Sequence, residues 1–131
     1  MARTFFRVAS DTGNPLSRTR AKGLLRKVLQ VWEPAQPIAA SLAERILGVA
    51  SGDDAALGEL RSLLRRASRK GPTLYSHQEE LVVWVDDIEI FVVYTQTGRF
   101  DVAVNTSPPS AKLARKIRSA FRSAGVPHIA D

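Results

Sequence analysis

The sequence contains no cysteine, which excludes both a disulfide framework and a cysteine-based zinc site. Its two histidines, His77 and His128, lie far apart, so we expect neither a histidine-rich metal site nor a cofactor. No apolar run approaches the roughly 20 residues of a membrane-spanning helix, and the segment MARTFFRVASD is too weakly apolar for a secretory signal. These absences predict a protein of the reducing cytoplasm that does not contact membranes.

The composition is that of a globular and basic protein. The chain has 131 residues, of which 44% are hydrophobic and 24% charged, and this size suits a single domain spanning residues 1–131. The net charge is +6, and arginine supplies 14 of the 19 basic residues. An arginine-rich basic chain favours an anionic partner, so nucleic acid is the first candidate, with RNA slightly ahead of DNA.

The stretch 80–105 predicts three consecutive antiparallel strands, because it is rich in valine, isoleucine and aromatic residues and is interrupted by turn formers. A two-residue turn at Asp86-Asp87 predicts that Val85 pairs with Ile88. One face of this meander then carries Leu81, Val83, Val85, Ile88, Ile90, Val92 and Tyr94, and Phe100, Val102 and Val104 of the third strand join it if the second turn has three residues.

The second turn of the meander decides the register of its third strand. A three-residue loop at 96–98 pairs Tyr94 with Phe100 and places Gly98 where a left-handed residue is needed. A two-residue loop would instead put Asp101 on the apolar face, so we predict the longer loop.

The other face of the meander is mixed, with Trp84 and Phe91 beside charged residues. In one interpretation a helix or a second subunit covers these aromatic residues, which would make them an interface. In another they form an exposed platform on which nucleic-acid bases stack.

The remaining chain predicts one further strand and four helices. The segment 4–9 reads as a strand, and apolar residues at helical spacing predict helices over 18–33, 38–50, about 54–69 and 109–124. The segment 71–78 reads as a linker loop. The order β-α-α-α-β-β-β-α predicts an α+β fold with an antiparallel sheet of three to four strands packed against helices.

The third and fourth helices carry most of the exposed cations. Evenly spaced cations on a helix supply the sequence-independent attraction to phosphate, and arginine can hold a phosphate with two hydrogen bonds. The predicted nucleic-acid-binding residues are Arg61, Arg65, Arg66, Arg69, Lys70, Lys112, Arg115, Lys116, Arg118 and Arg122.

The order α-β-β-β-α, from the third helix onward, resembles the double-stranded RNA-binding domain. That family has a basic start to its last helix, and the matching stretch here is SAKLARK at 110–116. The chain departs from the family at Asp86-Asp87, where the family has a basic loop that reaches into the minor groove.

The whole order, with an added helix, also resembles the small basic RelE/ParE-type toxins, which include ribosome-dependent ribonucleases. This resemblance implies a metal-free ribonuclease that needs cations and an acid–base group. The candidates on the sheet and its entry loop are Lys70, Tyr75, His77, Tyr94 and Arg99, of which we single out His77, as the general base, and Arg99.

No glycine-rich phosphate loop, Ser/His/Asp set or paired-carboxylate arrangement is recognisable, so the sequence leans away from an enzyme without excluding one. Our first hypothesis is therefore a nucleic-acid-binding protein. The second is a protein-interaction module or homodimer that uses Trp84 and Phe91, and the third is the ribonuclease.

Overall fold

A computed structural model describes residues 7–11, 14–71, 73–77 and 80–129, with only the backbone of His77. Part of the predicted strand 4–9 lies outside these residues. The strands are β1 (Ala9–Ser10), β2 (Leu74–His77), β3 (Glu80–Val85), β4 (Ile88–Tyr94) and β5 (Phe100–Thr106). The helices are α1 (Arg18–Gln30), α2 (Ala39–Ala50), α3 (Ala56–Ala67) and α4 (Ala111–Ser123), with a 3-10 helix at Glu33–Ile38.

The fold is α+β, as predicted, but the antiparallel sheet has five strands rather than three to four. Its order is β1-β5-β4-β3-β2. The extra strand is β2, which lies in the segment that the sequence predicted to be a loop. Its four residues, LYSH, are too few to show a clear alternation, and they form a strand because β3 offers a free edge to which they add. With β2, the segment after α3 contains four strands, one more than the double-stranded RNA-binding domain has.

The predicted register of the meander is confirmed. Val85 pairs with Ile88 across the first turn, and Tyr94 pairs with Phe100 across the second. Gly98 has a φ of 77°, in the left-handed region that the three-residue loop requires.

Every predicted helix extends one to three residues beyond the observed helix at one end or at both, and two of these differences lie near prolines. The first helix ends at Gln30 instead of residue 33, since Pro34 and Pro37 form the separate 3-10 helix that leads into α2. The last helix begins at Ala111 instead of Pro109, because the Ser110 hydroxyl caps it by accepting a hydrogen bond from the Leu113 amide at 3.2 Å.

The helices form one layer on the apolar face of the sheet. Contacts join α4 to α1, α1 to α2 and α2 to α3, so the helices follow one another across the sheet in the order α4-α1-α2-α3. All four contribute buried residues to a single core together with the apolar face of β3, β4 and β5. This order places α3 and α4, the two helices with the predicted nucleic-acid-binding residues, at opposite ends of the layer.

Within the part of the chain that the structure describes, no helix is both long enough and apolar enough to span a membrane.

Candidate nucleic-acid interface

A groove of about 590 Å³ runs between α1 and α4 on the surface of the helical layer. Four cations line it: Lys27 from α1, and Lys112, Arg115 and Lys116 from α4. No acidic residue is among the described residues that line this groove, so its charge is uniformly positive. We call these four residues the groove cations.

The groove follows from the amphipathic pattern of α4. Ala114, Ile117, Ala120 and Phe121 are buried against the core, and this fixes which side of the helix faces solvent. Lys112, Arg115, Lys116, Ser119 and Ser123 recur at spacings of three and four, so they lie along one flank of the helix. That flank faces α1, which contributes Lys27 and Gln30.

The floor of the groove is partly apolar and its walls carry neutral hydrogen-bonding groups. Val31 and Ala120 contribute the apolar surface, while Ser119 and Ser123 contribute hydroxyl groups. The side-chain amide of Gln36 donates to the Gln30 carbonyl at 2.9 Å, which holds the end of α1 next to the 3-10 helix. Cations beside hydroxyls and an apolar floor suit a sugar-phosphate backbone, which presents charged oxygens and an apolar sugar face.

The groove cations are available to a ligand. Lys112, Arg115 and Lys116 are exposed, and Lys27 is half-buried. None of the four forms an ion pair with an acid in the described ranges, whereas Lys22 and Arg18 on the same α1 helix both pair with Glu44.

The predicted cations of the third helix are placed elsewhere. Arg61, Arg65 and Arg66 are exposed on α3, and Arg69 is exposed just beyond its end. Since α1 and α2 lie between α3 and α4, and packed helices are 8–10 Å apart, the two basic sets are separated by roughly 25–30 Å. They do not form one continuous surface.

Three of the predicted cations are engaged within the protein. The Lys70 ammonium lies 2.6 Å from the Asp87 carboxylate, which raises the pKa of Lys70. The guanidinium of Arg118 donates to the Val8 carbonyl at 3.3 Å, and that of Arg122 lies 3.5 Å from the Ser119 hydroxyl. Neither Arg118 nor Arg122 lines the groove.

The predicted aromatic interface lies on the sheet face away from the core. Trp84 and Phe91 are both half-buried there. The hydrophobic core includes Val83 and Ile90 of the opposite face but not Val82. Val82 and Glu89 of the aromatic face are nevertheless buried.

The catalytic candidates lie at one end of the sheet, on different strands. His77 ends β2, and Arg99 precedes β5, with β3 and β4 between them. Three strand spacings separate the two backbones by roughly 14 Å. The Arg99 side chain is exposed, and its amide donates to the Thr95 hydroxyl at 3.1 Å as part of the turn.

Sequence reasoning missed a second site, which lies where β1 meets β5. Asp11 and Asp101 line a cavity of about 200 Å³. Each has a buried carboxylate oxygen, Oδ2 of Asp11 and Oδ1 of Asp101, without a hydrogen-bond partner among the described residues. Burial raises the pKa of Asp11, the Asp101 charge raises it further, and the Arg20 guanidinium lowers it. No signal in the sequence links two acids that are 90 positions apart.

Across the residues that the structure describes, no group of three or more histidine, cysteine, aspartate or glutamate side chains could hold a metal ion.

Comparison with known proteins finds no match, whether with protein-family models, curated proteins or solved structures.

Proposed function

We propose that this protein binds nucleic acid, with RNA slightly favoured over DNA, through the groove between α1 and α4. The observation that carries the proposal is the set of four groove cations, which line one groove without an acidic neighbour and without ion pairs in the described chain. Unpaired cations in a groove attract phosphates more strongly than cations that are already neutralised by an acid.

The binding energy comes mainly from the phosphate backbone. Each cation that neutralises a phosphate releases a condensed counterion, so the affinity falls steeply as salt is added. Arg115 can hold a phosphate with two hydrogen bonds, while the three lysines act as point charges. Contacts to phosphates carry no sequence information, so binding through the groove cations is expected to discriminate weakly between sequences.

The α3 cations take a secondary role in this proposal. They are exposed but lie roughly 25–30 Å from α4, so a nucleic acid seated in the groove reaches them only if it is long enough to cross the helical layer. Contacts to α3 would then extend the binding site, while the groove would remain its main part.

A binding titration with fluorescent single- and double-stranded RNA and DNA at two salt concentrations tests the proposal. We expect micromolar or tighter binding that weakens sharply with salt. Absence of binding at low salt would contradict the proposal. A gel run afterwards shows whether the oligonucleotides are intact, and cleaved RNA would favour the ribonuclease and its candidates His77 and Arg99.

The alternative is a protein-interaction module or homodimer, with a second copy of the chain as the partner of the half-buried Trp84 and Phe91. Light scattering distinguishes the two partners. A dimeric mass that Trp84→Glu halves, together with no binding of nucleic acid, would favour the interaction module. We place either activity in the cytoplasm.

A further inference from the structure

The cavity beside Asp11 and Asp101 is the feature of this molecule that nucleic-acid binding leaves unexplained. In a chain with a net charge of +6, three acids, Asp11, Asp101 and Glu80, line one cavity. Two carboxylate oxygens there are buried without a hydrogen-bond partner in the described part of the chain, although the protein has many basic residues that could have paired with them. An unpaired buried carboxylate is costly, and such groups in native proteins call for an explanation.

The sheet positions these acids. Glu80 on β3 pairs with Val93 on β4, which pairs with Asp101 on β5, so the three residues form one row across the sheet. Asp11 follows β1, and its amide donates to the Val102 carbonyl at 3.1 Å, which fixes it beside Asp101. The site is therefore built on paired strands rather than on a loop alone.

Asp11 is the most informative member of the group. Its exposed fraction is only 3%, and no described residue donates a hydrogen bond to its Oδ2. The charges around it are Asp101, Arg20, and the other lining residues Glu80 and Arg7. The Arg20 guanidinium donates to the Gly125 carbonyl at 3.0 Å instead of forming an ion pair with Asp11. No ion pair within the described chain joins Asp11 or Asp101 to a cation, although Arg7 lines the same cavity and the Arg20 charge lowers the pKa of Asp11.

The remaining walls indicate which cation fits. Phe91 and Val93 add apolar and aromatic surface to the cavity. The acids are not arranged as a metal-ligand cluster within the described residues. An organic cation satisfies both parts of the lining, because its charged end pairs with carboxylates while its carbon chain contacts the apolar wall.

We propose that the cavity lined by Asp11, Glu80 and Asp101 binds the ammonium or guanidinium group of an organic cation, with Asp11 and Asp101 as its carboxylate partners. The cation is either a free aliphatic amine or the side chain of an arginine or lysine presented by a peptide. Among the described lining residues, three acids and one cation, Arg7, leave the lining negative when the carboxylates are ionised. A cation in the cavity supplies the donors that Asp11 Oδ2 and Asp101 Oδ1 lack.

Nuclear magnetic resonance of the full-length protein at pH 7 tests this proposal, with agmatine and an acetylated, amidated Gly-Arg-Gly peptide as ligands. We expect saturable shifts of the amide signals of Ser10, Asp11, Asp101 and Val102, with a dissociation constant tighter than about 1 mM for at least one ligand. Stronger binding of agmatine would identify a free amine as the source of the cation, and stronger binding of the peptide would identify an arginine side chain.

The variant Asp101→Asn separates loss of a ligand site from loss of the fold. The asparagine amide can donate to Asp11 and removes the repulsion between the two acids, so this variant should be more stable than the wild type while binding at least tenfold more weakly. The control Asp54→Asn changes an exposed acid in the turn before α3, and it should bind as the wild type does.

No saturable shift with either ligand at about 10 mM, tenfold above the expected dissociation constant, would overturn the proposal. Undiminished binding by Asp101→Asn would also overturn it, as would shifts at these amides with Mg²⁺ and with neither organic ligand. The affinity for nucleic acid should be the same in Asp101→Asn and the wild type, so failure of this proposal is distinguishable from failure of the groove.

Discussion

The carboxylate of Asp86 accepts a hydrogen bond from the backbone amide of Arg69 at 2.8 Å, and this contact ties the β3–β4 turn to the end of α3. The same oxygen accepts from the Lys70 amide and the Ser68 hydroxyl, each at 3.1 Å. Asp86 also has a φ of 50°, a left-handed conformation that aspartate and asparagine adopt more readily than most residues. Asp86 is thus a structural residue, and its charge is satisfied within the protein.

Replacing Asp86 should therefore destabilise the fold in a graded way. Asp86→Ala removes the acceptor and leaves a strained backbone, so we expect a loss of roughly 2–4 kcal/mol in the free energy of unfolding. Asp86→Gly relieves the strain and should lose less, and Asp86→Asn keeps an acceptor oxygen and should lose least. Urea unfolding measures the series, and an alanine variant as stable as the asparagine variant would contradict this role.

Two glycine-to-alanine substitutions should change the stability of the protein in opposite directions. Gly98 has a φ of 77° in the β4–β5 turn, so Gly98→Ala should cost about 1–2 kcal/mol. Gly58 lies in α3 with open space around it, so Gly58→Ala should stabilise the protein by about 0.5–1 kcal/mol. Thermal unfolding of both variants checks the pair. Equal shifts in one direction would contradict the turn geometry.

The Asp11–Asp101 pair should make stability depend on pH. Because burial and the Asp101 charge raise the pKa of Asp11, the folded protein holds this proton more tightly than the unfolded chain does. The stability that protonated Asp11 contributes is fully present below the ordinary aspartate pKa of about 3.9, and it is lost as pH rises through the folded pKa of Asp11. Asp101→Asn should gain stability over the wild type, and the gain should increase with pH. A gain that is constant between pH 4 and pH 8 would show that the two carboxylates do not interact.

Glu44 should show the opposite dependence. Hydrogen bonds from Lys22 and Arg18 lower its pKa, so its stabilising contribution is present above the ordinary glutamate value and is lost as pH falls through the folded pKa. The Glu44 side chain is 38% exposed, so solvent screens its ion pairs with Lys22 and Arg18. Glu44→Gln should therefore cost less than about 1 kcal/mol at pH 7. The difference from the wild type should shrink as the pH falls through the folded pKa, and a difference that stays constant under acidic conditions would mean that the ion pairs are not its cause.

The parts of the fold that the sequence predicted correctly are those fixed by local pattern. The register of the meander follows from the alternation of apolar residues and from its two turns. Each turn depends on a residue within it, Asp86 in the first turn and Gly98 in the second. β2 was missed because a four-residue edge strand has too little alternation to distinguish it from a loop. Its pairing is decided by β3, which is a tertiary effect.

The candidate sites were predicted only in part. The polar side of each helix was identified from its periodicity, and Lys112, Arg115 and Lys116 were among the predicted binding residues. Periodicity does not show which helices are neighbours in the fold. The sequence therefore could not show that Lys27 lines the same groove as the α4 cations, or that α3 lies far from α4. The meeting of Asp11 with Asp101 depends on β1 adding to β5, a long-range pairing that leaves no local signal.

The most direct test of the groove compares two triple variants with the same change in charge. One carries Lys112→Glu, Arg115→Glu and Lys116→Glu in the groove, and the other carries Arg61→Glu, Arg65→Glu and Arg66→Glu on α3. Affinity for a short single-stranded RNA is measured across a salt series, and circular dichroism confirms that both variants fold. We expect the groove variant to lose at least tenfold in affinity and its salt slope to fall by about 2–3, while the α3 variant changes much less. Equal losses would show that net charge alone attracts the RNA, and a larger loss in the α3 variant would contradict the groove as the binding site.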